Sequence, residues 1–170
     1  ILCIRGIMDN KFFNNKILHD NYLSTRNKRV LFIANTSRYL WHYRLLLLKE
    51  SRTHFEELYS IAPKDQCSDE LNKITNFQSW EISSSNEFNF LRLIKSLYNL
   101  FFKIYKIKPY IVHTHTIKPN LLTSIVSFFL PINLVISFAG MGRMSNSKGF
   151  KLFLFKIILK IIYFSSVFEL

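Results

Sequence analysis

"IKPYIVHTHTIKPNLLTSI", residues 107–125, decides how the rest of the chain is read. Tyr110–Thr114 is a short apolar run with β-branched residues, and it reads as a strand. Pro109 ends the helical pattern before it. Pro119 suits the first turn of a following helix, where a missing N–H is no loss, and that helix runs to about Phe129. A strand that passes directly into a helix is the repeating unit of a parallel sheet. Side chains two residues apart on a strand share a face, so His113 and His115 are co-facial. Taken alone, such a pair fits a metal clip, a catalytic base with a helper, or two histidines satisfied in a core.

The same alternation extends in both directions. "RVLFIA" (29–34) is a continuous apolar run and reads as a buried strand. The polar turn "NTS" follows, then "RYLWHYRLLLLKES" (38–51) with helical length and no breaker. "EELYSIAP" (56–63) is a second strand stopped by Pro63, and "DQCSDELNKI" (65–74) a helix starting at Asp65 or Ser68. "FQSWEI" (77–82) is a third strand, and 86–108 a long helix capped by Asn or Ser. "INLVISF" (132–138) is a fifth strand, followed by a glycine-bearing loop at 139–149, a basic helix over 150–163 and the start of a sixth strand in "SSVFEL". The expected fold class is α/β, a Rossmann-like three-layer sandwich with a parallel sheet. Ligands of such sheets sit beyond the C-terminal strand ends. That rule selects the loops Asn35–Arg38, Pro63–Gln66, His115–Lys118 and Ala139–Ser147.

Composition narrows the partners. The 170 residues fit one domain with a real core, and 49% hydrophobic residues with 17 Phe argue against disorder. Lys and Arg number 23 against 11 Asp and Glu, a net charge of +12, which suits a membrane surface or a phosphorylated ligand. No zinc-finger spacing or aromatic RNP motif points to nucleic acid. Cys3 and Cys67 form no CxxC pair and read as reduced thiols of a cytoplasmic protein. Residues 1–27 lack an initiator Met at position 1 and a signal-peptide pattern, and read as a poorly ordered leader of uncertain authenticity. The apolar stretch 121–138 has the length of a membrane span, but Pro131 and Asn133 divide it. Lys151, Lys156 and Lys160 make 150–164 a basic amphipathic helix that lies on a membrane rather than crossing it, or packs on a core with a solvated Lys face.

Within the loops, His115 stands at the strand end, where a side chain reaches a ligand, and His113 reads as its more buried neighbour. No Asp, Glu or Cys nearby in sequence completes a metal site, so no metal is expected. Thr116 and Lys118 precede a helix N-terminus, where free N–H groups favour anions. Asn35, Thr36 and Ser37 occupy the same station before the first helix, with ordinary N-capping as the alternative. Gly140 and Gly142 permit close backbone approach. There is no GxGxxG after the first strand, no GxxxxGK[ST] and no GxSxG elbow.

In this order and spacing, "KRVLFIANTSRYLWHYRLLLLKE", "YSIAPKD", "IKPYIVHTHTIKPNLLTSI" and "INLVISFAGMGR" form a pattern. The pattern resembles the N-terminal domain of the retaining family 4 glycosyltransferases of GT-B fold. It is closest to bacterial enzymes that build polysaccharide or lipid-linked oligosaccharide, and covers residues 28–170. The resemblance implies an acceptor-side Rossmann-like domain, one half of a GT-B fold, facing a nucleotide-sugar domain across a cleft. It implies transfer of a hexosyl or N-acetylhexosaminyl group from a nucleotide diphosphate sugar to a lipid-linked or glycan acceptor, with no further cofactor and no metal. It places the enzyme in the cytoplasm, peripherally on the inner face of the membrane.

By the same resemblance, Asn35, Thr36 and Ser37 border the cleft under the donor phosphates. Arg44 matches an arginine of the first helix, and His115, with His113 as alternative, the histidine near the transferred sugar. Thr116, Lys118 and Asn120 follow it, and Gly140 and Gly142 match a glycine turn. Two departures stand out. "ESRTHFEEL" replaces a glycine-bearing segment, and no two Glu are spaced as in the Glu-x7-Glu of the donor domain. The expectation is an incomplete enzyme, inactive without a donor domain here or on a separate chain. The rival reading is a non-catalytic, membrane-associated binding protein or a truncated product.

Overall fold

Continuous apolar strands need both faces of their pleat covered, and the chain supplies helices for both. The computed structural model describes residues 2–3, 29–82 and 90–137. In chain order the elements are β1 (Leu2–Cys3), β2 (Arg29–Ile33), α1 (Ser37–His54), β3 (Glu57–Ala62) and α2 (Ser68–Asn72). After these come β4 (Asn76–Ser79), α3 (Phe90–Ile107), β5 (Ile111–His115), α4 (Ile117–Ser127) and β6 (Asn133–Ser137). They build one six-stranded sheet in the order β1-β6-β5-β2-β3-β4. Strands β2 to β6 run parallel, and β1 joins the edge antiparallel to β6, with Leu2 opposite Ile136 and Cys3 opposite Val135. Part of the 1–27 segment thus belongs to the sheet. The Gly140 and Gly142 loop, the basic stretch 150–163 and the strand expected at 165–170 lie outside the described residues.

From β2 the chain steps outward through β3 to β4, then returns across the sheet to β5 and steps the other way to β6. Right-handed crossovers put α1 and α2 on one face and α3 and α4 on the other. Two cores result. Leu31, Ile33, Val112, Leu134 and Ile136 pack with Leu100, Ile104, Leu122 and Val126 on the α3–α4 face. Val30, Phe32 and Leu58 pack with Leu40, Leu48 and Leu71 on the α1–α2 face. Each fully buried aliphatic side chain contributes roughly 1.5–3 kcal/mol. The order reverses between β2 and β5, which makes the loops after those strands the walls of the crevice. The α/β, Rossmann-like expectation is the architecture found.

The third strand is shorter than the sequence indicates. Expected over 77–82, it ends at Ser79. The Trp80 N–H still donates to the Ala62 carbonyl at 2.9 Å, but its fully buried indole turns under α3 and donates to the Ser96 carbonyl at 3.0 Å. The ring keeps the strand alternation, packing in the α3–α4 core while Phe77 packs on the α1–α2 face, and its polar handle finds its partner there. The stretch 121–138 divides as its proline indicates, into α4 and β6. No helix of the described residues is long and apolar enough to cross a membrane.

Candidate functional site

The crevice is built on β5. Strand alternation sends Val112 and Thr114 to the α3–α4 face and His113 and His115 to the other, and both histidine rings meet at 4.3 Å between centroids. In register, His113 lies beside Phe32 on β2 and His115 beside Ser137 on β6. Phe32 is the floor, 5.3 Å from the His113 ring and stacked on His115 at 6.1 Å. Tyr39, from the first turn of α1, closes over His115 at 5.8 Å. Arg44, at i+5 on the same helix, donates to the Tyr39 hydroxyl at 3.0 Å.

The order of burial reverses the expectation. His115 is 0% exposed, while His113 is half-buried and shares a 2.7 Å hydrogen bond with the Ser137 hydroxyl. The reason is not local to β5, because Phe32 and Tyr39 come from β2 and α1 and enclose the strand-end ring. Burial pushes the His113 pKa down to about 4, with Arg44 adding repulsion. Burial pushes His115 down to about 3, and His113 and Arg44 add to the effect. Both rings are therefore neutral imidazoles at neutral pH, each able to donate from one nitrogen and accept at the other.

Neither His115 nitrogen has a partner, and the same holds for Arg44 Nε, Thr114 Oγ1, Thr116 Oγ1, Asn120 Oδ1 and Thr123 Oγ1. Among the described residues every unpartnered buried side-chain N or O atom falls in Arg44 or in 114–123. Leaving such a group unpaired costs about 1–3 kcal/mol. The backbone adds strain there: Thr116 has φ 73°, outside the comfortable range of a β-branched residue, costing about 1–3 kcal/mol. Asn120 is fully buried and ties α4 to β6, its side-chain amide donating to the Ser137 carbonyl at 3.2 Å.

The remaining expected residues divide. Lys118 is exposed on the first turn of α4, at the rim. Asn35 is exposed in the loop after β2. Thr36 is the N-cap of α1 and accepts from the Tyr39 N–H at 3.1 Å, which is the capping alternative. Ser37 is fully buried and donates to the Pro63 carbonyl at 2.8 Å, away from any open surface. The Arg38 N–H is taken by the Asp65 carboxylate at 2.9 Å, so the start of α1 already carries an anion. Phe32, Tyr39, Thr114, Thr123 and Ser137 were not anticipated. Ser137 was the most accessible to reasoning, since aligning the ends of the fourth and fifth strands places it beside His115. Among the described residues no group of three His, Cys, Asp or Glu side chains is placed to hold a metal ion.

Known proteins give this arrangement a context. The family described as "Glycosyl transferase 4-like" matches residues 29–166. Among solved structures, the chain is similar to MurG from Acinetobacter baumannii, with a TM-score of 0.53 at 11% identity, over 77% of this chain and 39% of that one. It is also similar to a glycosyltransferase from Rickettsia africae ESF-5, with a TM-score of 0.57 at 20% identity, over 79% of this chain and 35% of that one. At these identities what is shared is the fold, one Rossmann-like half of a GT-B architecture. The chain spans well under half the length of either structure. No curated protein matches it.

Proposed function

We propose, since the chain belongs to the glycosyl transferase 4-like family, that it forms the acceptor-side domain of an enzyme transferring a hexosyl or N-acetylhexosaminyl group. The donor is a nucleotide diphosphate sugar, and the acceptor a lipid-linked or glycan hydroxyl in cell-surface polysaccharide synthesis. The observation that carries this reading is the set of unpartnered polar atoms of Arg44, His115, Thr116 and Asn120 beside the β2–β5 switch point. A sugar is a dense array of hydroxyls, each both donor and acceptor, and suits neutral imidazole, threonine hydroxyl and carboxamide groups better than charged ones.

In this scheme His115, held neutral by burial, bonds a hydroxyl of the transferred sugar or orients the acceptor. Arg44 and Lys118 supply positive charge as the sugar–phosphate bond breaks and the diphosphate leaves. Thr116 and Asn120 complete the polar lining, with His113 positioning the neighbouring ring. Of the first loop, Asn35 remains the side chain available to a donor phosphate, while Gly140 and Gly142 serve through their backbone. Stereochemical retention, independence of metal, and a place at the inner face of the membrane complete the reading.

Replacing His115 by Ala in the full-length gene is expected to lower sugar transfer by about 100-fold or more, the size of a lost transition-state hydrogen bond in a dry site. Wild-type transfer by that variant, measured with radiolabelled donor, would remove His115 from the site.

A further inference from the structure

Helix α3 carries more apolar surface than the core can use. At about 100° per residue its side chains separate into three sectors. Leu93, Leu97, Leu100, Ile104 and Ile107 lie within an arc of about 80° against the core. Leu91 (76% exposed), Ile94 (48%), Tyr98 (64%), Phe102 (46%) and Tyr105 (58%) fall in the next arc of about 80°. Arg92, Lys95, Lys103 and Lys106 fill an arc of similar width, about 80°, on the far side of that stripe. The 18 residues contain no Asp or Glu.

The exposed stripe is ordered. The Tyr98 and Phe102 rings lie 4.4 Å apart, and Phe101 stacks on Tyr105 at 6.3 Å, forming an aromatic ladder along the helix. A contiguous apolar patch of this kind marks an interaction surface. Two features identify its partner. Tyr and Phe beside a one-signed basic sector match the zone where acyl chains meet headgroups. The absence of acidic residues suits an anionic surface and disfavours pairing with a second copy of this basic helix. A pocket of about 490 Å³ opens at the α3 N-terminus, where Lys64 joins Arg92 and Lys95 against the single carboxylate of Glu81, leaving the rim net basic.

We infer that α3 docks the domain onto an anionic lipid bilayer, with Ile94, Tyr98, Phe102 and Tyr105 in the interface and the lysines at the phosphates. This inference deepens the proposed membrane-face glycosyl transfer and rests on it for its purpose. The α3 N-terminus follows β4, so it lies on the same C-terminal edge of the sheet as the histidine crevice. Docking along α3 therefore brings that edge near the surface from which a lipid-linked acceptor emerges.

The test is co-sedimentation of the purified protein with vesicles of phosphatidylglycerol and phosphatidylcholine, or of phosphatidylcholine alone, at about 0.1 M salt. Wild type is expected to partition about tenfold or more into the anionic vesicles over the neutral ones. Tyr98→Ser/Phe102→Ser should lose about tenfold of that partition. Lys95→Gln/Lys106→Gln, which leaves the apolar stripe intact, should lose the anionic preference. Leu46→Ser, on the exposed side of α1 across the sheet, should change nothing. The proposal is overturned if the α3 variants partition like wild type. It is equally overturned if they abolish a concentration-dependent dimer while vesicle binding persists. The binding assay contains no sugar nucleotide, and transfer to a detergent-soluble acceptor by the α3 variants is measured separately. Failure of docking and failure of the glycosyl-transfer reading are thus distinguishable.

Discussion

The two ends of the sheet treat polar side chains in opposite ways. At the N-terminal end, Arg29 Nε and Nη2 donate to both carboxylate oxygens of Glu57 at 3.0 and 3.2 Å, and its Nη1 to the Ile107 carbonyl at 3.0 Å. The Tyr59 hydroxyl donates to Glu57 at 2.6 Å, and the Asn133 amide to the Tyr110 carbonyl at 3.0 Å. Toward the C-terminal end, among the described residues, seven buried side-chain atoms of Arg44, Thr114, His115, Thr116, Asn120 and Thr123 have no partner. One edge is finished as structure. The other is left with hydrogen-bonding capacity that the fold does not use, and that difference is what supports the proposed sugar site.

Acid should break the C-terminal edge most. Both histidines have native pKa values below the unfolded value of 6.5. The native state then binds fewer protons than the unfolded state wherever the unfolded histidines are charged, and stability rises with pH there. The contribution is complete above pH 6.5 and is lost as pH falls toward about 4 for His113 and about 3 for His115. Each histidine adds a slope of up to about 1.4 kcal/mol per pH unit inside that window. Thermal melts from pH 7 to 4.5 should show a steep decline that His113→Phe/His115→Leu flattens. Equal slopes in the two proteins would mean the rings are not held neutral by the fold.

The N-terminal edge should respond to mutation in stability alone. Arg29→Ala removes the paired bonds to Glu57 and the bond to the Ile107 carbonyl. Since the pair is partly open to solvent, the expected loss is about 1–2 kcal/mol. Urea unfolding measures it, and sugar transfer by the folded variant should match wild type. A variant of normal stability with impaired transfer would erase the distinction between the edges.

Much of the fold was legible because β2, β3, β5 and β6 are short apolar runs bounded by polar turns or prolines, and parallel burial leaves that signature. The end of β4 was not legible, because the apolar alternation runs on past Ser79, with Trp80 and Ile82 both packing in the α3–α4 core. Within the site, the pairing of His113 with His115 followed from strand alternation. Their order of burial did not, since Tyr39 and Phe32 are distant in sequence and enclose His115 only in the folded sheet. The positive φ of Thr116 had no sequence signal, because threonine is a poor choice for it. The roles of Thr36 and Ser37 were ambiguous for a different reason: serine and threonine before a helix serve capping and anion binding equally well.

The most direct test of the difference between the edges is one variant with two readouts. His115→Leu fills the same space with an apolar side chain and removes both unpartnered nitrogens. Replacing such a group by an apolar shape is neutral or stabilising when the fold does not use its hydrogen bonds. The melting temperature at pH 7 should therefore hold or rise, while sugar transfer by the full-length enzyme falls by about 100-fold or more. A lower melting temperature with transfer intact would show that His115 serves the fold and not the sugar.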